Sequence, residues 1–484
     1  MTKSAALTVT DIARSPIFET PMHLENTLQS LCDRIRTGEL SAAEIRERTL
    51  GADVRAATLN CFIRTSDAEA HFARANDALK DAPLFGIPFS LKDNICVKGL
   101  PVTAGTPGLE DCIAKRDASI VRKLKSLGAV FAGKNNMHEL SFGITSVNPQ
   151  WGTVVNPAAP EHLAGGSSGG CAAAVAAGIV PIAIGTDTGG SVRIPAAFCG
   201  ITGFRPTSGR WSSAGIIPVS RTKDSPGLLT KTAKDAQLLY ELLSPEDRLP
   251  TKMKSTRRRI GLPASMWTEL DDDVRKYCGH AISRLTRAGF QCIELDDSTV
   301  AALNKAGTFT VPIYEFFTDF PRTLLSLGWA NRINTVFDNI RDTDVRDIIH
   351  TNLSGKVVSA QDYSSAIQKI SALRMQMDTL FSNWDIEFLA YPTVPRCVPR
   401  VIDANRPGLF ADVIRNTDLA SNAAMPSITL PVAPDKSLPV GLSLDAARGQ
   451  DRRLLAAATC IEEILISESG LPRSTAQTNN VSFN

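Results

Sequence analysis

Two glycine-rich stretches lie close together in the first half of the chain, Leu163-Ala-Gly-Gly-Ser-Ser-Gly-Gly-Cys171 and Gly185-Thr-Asp-Thr-Gly-Gly-Ser-Val-Arg-Ile-Pro195, and each sets serine among glycines. Glycine tolerates positive φ and lets backbone approach another group closely, so the two loops predict a pocket walled partly by bare main chain. A serine in such a wall is a candidate nucleophile. Its chemistry would be acyl transfer, provided that a neighbouring base removes the hydroxyl proton.

The identity of that base separates the available mechanisms. Gly165-Gly-Ser-Ser-Gly169 fits the G-x-S-x-G nucleophile elbow of α/β-hydrolases with Ser167 in the reactive slot, an arrangement that needs a histidine downstream. Of the six histidines, only His280 and His350 come late enough in the chain. His280 falls inside an amphipathic helical pattern and His350 follows Ile348-Ile349, which suits ordinary packed or surface histidines. Gly128-Ala-Val-Phe-Ala-Gly-Lys134 matches most of a phosphate-binding loop, but Val130 and Phe131 read as strand and Asn135 replaces the magnesium-holding hydroxyl. His138-Glu139 lacks a second histidine at helical spacing and reads as structural.

A third reading uses lysine. Pro83-Leu-Phe-Gly-Ile-Pro-Phe-Ser-Leu-Lys-Asp-Asn94, the Gly-Gly-Ser-Ser-Gly-Gly block and the segment from Gly185 to Pro195 resemble, in order and spacing, the amidase signature family of Ser-cisSer-Lys hydrolases. Gly133-Lys-Asn-Asn-Met-His-Glu-Leu140, Ala196-Ala-Phe-Cys-Gly-Ile-Thr-Gly-Phe-Arg-Pro206 and Pro426-Ser-Ile-Thr-Leu-Pro431 with Leu438-Pro-Val-Gly-Leu442 extend the likeness over residues 24 to 466. The resemblance implies Lys92 as base, Ser167 as the bridging serine on a cis Gly166-Ser167 peptide, and Ser191 as nucleophile. Gly169 and Cys171 stand where relatives often carry serines and Arg205 where lysine is frequent, all outside the implied triad.

Such a lysine must be neutral to act as a base, and the apolar Ile87-Pro-Phe-Ser-Leu91 leading into it would supply the burial that lowers its pKa. Backbone N–H groups along Thr188, Gly189, Gly190 and Ser191 are the candidate oxyanion donors. Asp187 and Arg193 flank this loop and are expected to brace it, and Ser168 to cap the alanine-rich helix that follows. This chemistry requires no metal and no organic cofactor.

Within the family, Thr103-Ala-Gly-Thr-Pro107, the run from Ser191 to Gly200 and Arg415-Asn-Thr-Asp-Leu-Ala-Ser-Asn422 resemble indoleacetamide and mandelamide hydrolases, which implies small aryl or arylalkyl amides as substrates. Amidotransferase relatives usually carry glutamine after the motif arginine, where this chain has Ile194. A carbamate or ester hydrolase with the same triad, and a partner-dependent amidotransferase subunit, are the competing readings, because motifs encode the acyl-transfer machinery and not the leaving-group pocket. The aromatic group from Tyr314 to Phe337 either lines an apolar substrate pocket or packs a helix core, the second being the commoner arrangement.

The elements that must position these residues read as alternating strand and helix. Leu24, Leu28, Leu31 and Ile35 recur at helical spacing and Ser41-Ala-Ala-Glu44 is a capping box, which suggests a helical N-terminal layer over about residues 1–75. Phe85–Lys92 and Ala129–Ala132 read as strands with a capped helix from Asp117 to Leu127 between them, in a catalytic core spanning about 76–245. Residues 300–380 are mostly helical, and strand-like runs return at 387–391, 427–431 and 438–444 before a closing helix at 453–465. The pattern predicts one α/β domain over 1–484 with a central mixed, largely parallel twisted sheet covered by helices on both faces.

Bulk properties exclude several other classes. With 52 Lys+Arg against 50 Asp+Glu, the chain has no general attraction for nucleic acid, and its basic run Lys252–Ile260 reads as a solvated linker. Ten scattered cysteines without a C-x-x-C pair argue against structural zinc and a disulfide framework, and the N-terminus lacks the apolar core of a secretory signal. No apolar run is long enough for a membrane span. A reducing cytoplasm fits these numbers, and the small-amide substrate implied by the resemblance needs no nucleic-acid or membrane partner, with oligomeric state open and a homodimer among the options.

Overall fold

The computed structural model describes residues 27–41, 44–45, 53–65, 79–247, 258–355 and 358–467. Most of the basic run at 252–260 and Leu24 lie outside them. The strands are β1 (Phe62–Thr65), β2 (Pro88–Lys92), β3 (Val130–Asn135), β4 (Ile182–Asp187), β5 (Thr202–Arg205), β6 (Ser225–Thr230), β7 (Arg259–Pro263), β8 (Gln291–Leu295), β9 (Phe388–Pro392), β10 (Ser427–Pro431) and β11 (Gly441–Ala446). They form one sheet in the order β1-β3-β2-β4-β6-β5-β10-β11-β9-β7-β8.

The sheet is mixed, as the sequence pattern suggests, but not largely parallel. Six of its ten pairings are antiparallel and four are parallel. The β10–β11 hairpin and the reversed β5 and β6 account for the excess. Short connections and returning strands favour antiparallel neighbours, whereas a parallel neighbour needs a longer crossover.

Alternation along the central strands puts consecutive side chains on opposite faces. Ile182 and Ile184 of β4 join one apolar cluster while Ala183 joins another. The two clusters also divide Leu228 from Leu229 on β6. Small residues of the Gly169–Ala176 helix fill the second cluster, together with Val192 and Ala196. The first contains Leu239 of the Ala233–Leu243 helix, Leu285 of the Asp272–Arg287 helix and Leu454 of the Asp451–Ser467 helix. Both faces are therefore covered.

Local signals explain most helix boundaries. Thr232 accepts from Asp235 N and opens the Ala233–Leu243 helix. Ser41 and Glu44 make the reciprocal bonds of a capping box. The 119–126 helix differs from expectation: Asp117 does not cap it, because its carboxylate accepts from Lys98 N at 2.8 Å and pairs with Lys125 at 3.0 Å. Tyr314 stacks on Tyr363, and Phe316, Phe320 and Phe337 form a packed cluster, so the aromatic group of this region belongs to the helix core. No helix among the described residues is long and apolar enough to cross a membrane.

Candidate active site

Lys92 ends β2, whose parallel neighbour β4 leads directly into the second glycine-rich loop. Crevices beyond the carboxyl ends of parallel strands are where α/β sheets place ligands. Ser90 pairs with Ala183 and Leu91 with Ile184, so the lysine's side of β2 is the side covered by the Gly169–Ala176 helix. That helix begins immediately after the first glycine-rich loop. The sheet register thus brings the lysine and both serine loops together.

Lys92 is fully buried, and its ammonium nitrogen reaches Ser167 Oγ at 2.7 Å and Thr186 Oγ1 at 2.8 Å. Burial is the largest influence on it and pushes its pKa down from 10.5 to about 7, against the opposing pull of Cys171, Asp224 and Asp187. The amine is therefore substantially neutral near pH 7. The Gly166-Ser167 peptide is cis. Ser167 O accepts from His138 N at 3.2 Å and from Ser146 Oγ at 3.5 Å, which fixes the serine's main chain.

Ser191 is 8% exposed and opens on a cavity of about 710 Å³, whereas Ser167 and Lys92 lie behind it. That volume falls in the range of small-molecule sites. Ser168 N donates to Ser191 O at 3.2 Å and joins the two loops through their backbone. No side-chain hydrogen bond links Ser167 Oγ with Ser191 Oγ among the described residues.

Asp187 organises the turn that carries Ser191. Its carboxylate accepts from Gly190 N at 2.9 Å and Val192 N at 3.2 Å, and from Arg193 Nε and Nη2 at 3.1 and 2.9 Å. Arg205 adds a bond to Asp187 Oδ1 at 3.1 Å and another to Asp187 O. Burial opposes ionisation of Asp187, but Arg193 and then Arg205 outweigh it and hold the carboxyl well below the usual carboxylate range. Gly190 has φ +132°, a conformation that disfavours any side chain, and an added Cβ would lie 2.3 Å from Thr417 Oγ1.

Two sequence expectations need correction here. Gly190 N–H is committed to Asp187 and cannot serve as an oxyanion donor. The main-chain N–H groups of Thr188, Gly189 and Ser191 have no acceptor among the described residues, and all three residues line the cavity. Ser168 stands at the start of the Gly169–Ala176 helix, yet its side chain does not cap it. Its hydroxyl donates to Thr186 O at 3.3 Å instead, because it packs against Gly185, where a Cβ would approach Ser168 Oγ to 2.7 Å.

Among the described residues, none of the other candidate side chains bonds to the hydroxyl of Ser167 or Ser191. His280 is exposed on its helix, and His350 bonds to Phe337 O at 3.2 Å. Lys134 pairs with Asp93 at 2.7 Å inside the protein. Thr186 was not among the sequence candidates, although it stands between Gly185 and Asp187 in the second motif. Asp224 was also missed. It accepts from Thr188 Oγ1 at 2.7 Å and from Val219 N and Ser220 N, and burial raises its pKa to about 6. The cavity aromatics Phe142, Phe309 and Phe410 come from three separated segments that no local motif connects.

The cavity-lining Ser191 and the buried Lys92–Ser167 pair sit on an α/β sheet whose class comparison with known proteins identifies. Residues 48–455 match the Amidase family, and the chain belongs to it: it is an amidase, an enzyme that cleaves amide C–N bonds. It is 56% identical over 444 residues to an indoleacetamide hydrolase of Pseudomonas savastanoi, covering 92% of this chain and 98% of the relative. An indoleacetamide hydrolase of Pantoea agglomerans pv. gypsophilae is 58% identical over 451 residues, with the same coverage. A crystal structure of an amidase superposes with a TM-score of 0.78 at 29% identity, covering 90% of this chain and 99% of that one. A peptide amidase bound to the competitive inhibitor chymostatin gives 0.78 at 25% identity, covering 93% and 99%.

Proposed function

We propose that this protein hydrolyses a small arylalkyl amide of the indoleacetamide type to the carboxylic acid and ammonia, with Ser191 as nucleophile, Ser167 as relay and Lys92 as base. The observation that carries the mechanism is the 2.7 Å contact between a fully buried Lys92 Nζ and Ser167 Oγ, directly behind a cavity-facing Ser191. The substrate class rests on the identity of 56–58% to two indoleacetamide hydrolases over nearly their full length. Apolar walls from Phe142, Ile144, Ile194, Phe309 and Ile414 suit an aryl group.

In this mechanism the Lys92 lone pair takes the Ser167 hydroxyl proton as Ser167 Oγ takes the proton of Ser191. Ser191 Oγ then bonds to the amide carbon, and the resulting oxyanion is met by main-chain N–H groups from the set Thr188, Gly189 and Ser191. Collapse breaks the C–N bond while the proton returns through Ser167 to the leaving nitrogen, which departs as ammonia. Water attacks the acyl-serine by the same relay and releases the acid. Contacts between nucleophile and base commonly tighten only when substrate binds, which accommodates the unmade Ser167–Ser191 bond. The ten free cysteines fit a reducing compartment such as the cytoplasm.

The test is hydrolysis of a panel of arylacetamides, aryl acetamides, carbamates and esters, followed by chromatography of the acid, amine or alcohol released from each, with the Ser191→Ala protein as blank. Arylacetamides should be the best substrates, and Ser191→Ala should lose at least about 10⁴-fold in kcat while its circular dichroism and melting stay native. A panel led by carbamates or esters, or turnover that survives the substitution, would overturn the assignment.

A further inference from the structure

His138-Glu139 takes no part in the chemistry above, yet both side chains grip one spot on the cavity wall. Glu139 Oε2 accepts from Arg341 N at 3.0 Å and Asp342 N at 2.7 Å. The His138 ring lies between Thr145 Oγ1, 3.2 Å from Nδ1, and Asp342 Oδ2, 3.3 Å from Nε2. Thr145 Oγ1 already accepts from Val147 N, so its own proton is available to Nδ1, and Nε2–H then points at the carboxylate. The backbone N–H of the same histidine holds Ser167 O. One histidine residue therefore spans the distance between the relay serine and Asp342.

Asp342 Oδ1 caps the Thr343–Leu353 helix by accepting from Val345 N at 3.0 Å. A cap uses one oxygen. Oδ2 meets His138 Nε2 at 3.3 Å, a long contact for a hydrogen bond, and an acceptor oxygen has room for a further donor. Burial works against the charge, but His138 and the N–H groups of Val345 and Asp344 outweigh it and keep the carboxyl below its ordinary range. Asp344 and Asp347 also line the cavity but are exposed, as are Arg341 and Arg406, so Asp342 is the sheltered carboxylate of this wall among the described residues. Elsewhere the cavity presents Phe309, 47% exposed, against Phe410 with ring centroids 5.6 Å apart.

We infer that Asp342 is a specificity-determining residue that accepts a hydrogen bond from an N–H on the aromatic ring of the substrate, with His138 holding the carboxylate in place. This rests on the arylalkyl-amide reading and narrows it to rings that carry a donor. A benzofuran ring of the same size would cover this sheltered carboxylate oxygen without giving it a donor, which is the arrangement that discriminates most strongly between otherwise similar ligands.

The experiment compares kcat/KM for indole-3-acetamide and benzofuran-3-acetamide, which differ by a ring N–H against a ring oxygen. The wild-type protein should prefer the indole by at least about tenfold, mainly through KM. Asp342→Ser keeps a capping oxygen but is too short to reach the ring, and it should bring the two substrates to within about twofold. A wild-type ratio near one overturns the inference, and so does a preference that survives Asp342→Ser, including the case in which both substrates weaken equally. Should the serine variant fail to fold, Asp342→Asn, which can keep the capping oxygen but turns the other oxygen into a donor, should bring the two substrates together in the same way, and a preference that survives it overturns the inference. If the wild type turns over neither compound nor phenylacetamide, the arylalkyl reading falls and this inference with it. Turnover of both alike removes only the inference.

Discussion

Thr186 Oγ1 accepts from both Lys92 Nζ at 2.8 Å and Asn94 Nδ2 at 3.1 Å. A neutral amine has two N–H donors and one lone pair. With one N–H held by Thr186, the lone pair is free to face the Ser167 hydroxyl 2.7 Å away. Thr186→Val keeps the shape and removes that acceptor. It is expected to lower kcat by about tenfold or more while leaving KM nearly unchanged, since the residue touches the base and not the cavity. Steady-state kinetics on an arylacetamide decides this, and an equal loss in KM would place Thr186 in substrate binding instead.

A base with a pKa near 7 gives the pH profile a definite sign. Lys92 is lowered to about 7 chiefly by burial, so it is protonated and idle below that pH and neutral above it. The proposed mechanism therefore predicts kcat/KM rising with pH through an acid limb centred near 7 and levelling above it. A limb near 4, or near 10, would assign the titration to another group.

Asp187 answers two buried guanidinium groups and the N–H groups of Gly190 and Val192 at once. Asp187→Asn removes the charge and leaves Arg193 and Arg205 buried without full compensation, a loss of about 3–5 kcal/mol in comparable buried pairs. Denaturant unfolding should register that drop. Activity should fall with it, because the same carboxylate shapes the turn beneath Ser191.

The residues of the proposed triad could be picked out in the sequence because Lys92, Ser167 and Ser191 sit in local motifs, and the fold brings those motifs together. Strand texture was equally readable at 85–92, of which 88–92 is strand, and at 427–431, since buried strands leave continuous apolar runs. What escaped depends on pairing between distant segments. No local pattern reports that β5 and β6 reverse direction, and the sheet is consequently more antiparallel than alternating strands and helices suggest. The hydrogen-bond partner of each N–H is similarly invisible. Gly190 looks like an oxyanion donor from its motif, and only the fold shows that Asp187 has claimed it. The cavity aromatics illustrate the same limit, as Phe309 and Phe410 meet from segments about a hundred residues apart.

Replacing the base itself tests whether its burial opposes folding. In the unfolded chain a lysine keeps its proton up to about 10.5, whereas Lys92 in the folded protein gives it up near 7. Between those values the unfolded state binds more protons, so stability rises with pH across this window. Below about 7 the native state bears the whole cost of a buried ammonium. Lys92→Met has a side chain of similar length and no charge. It should be inactive, and its melting temperature relative to wild type should be highest at pH 6 and decline steadily towards pH 10. Ser167 and Thr186 lose a partner in the variant at every pH, which shifts the whole curve without tilting it. Thermal melts of the two proteins at pH 6, 8 and 10 provide the measurement, and a difference that does not change with pH would mean that Lys92 keeps an ordinary lysine pKa in the folded protein.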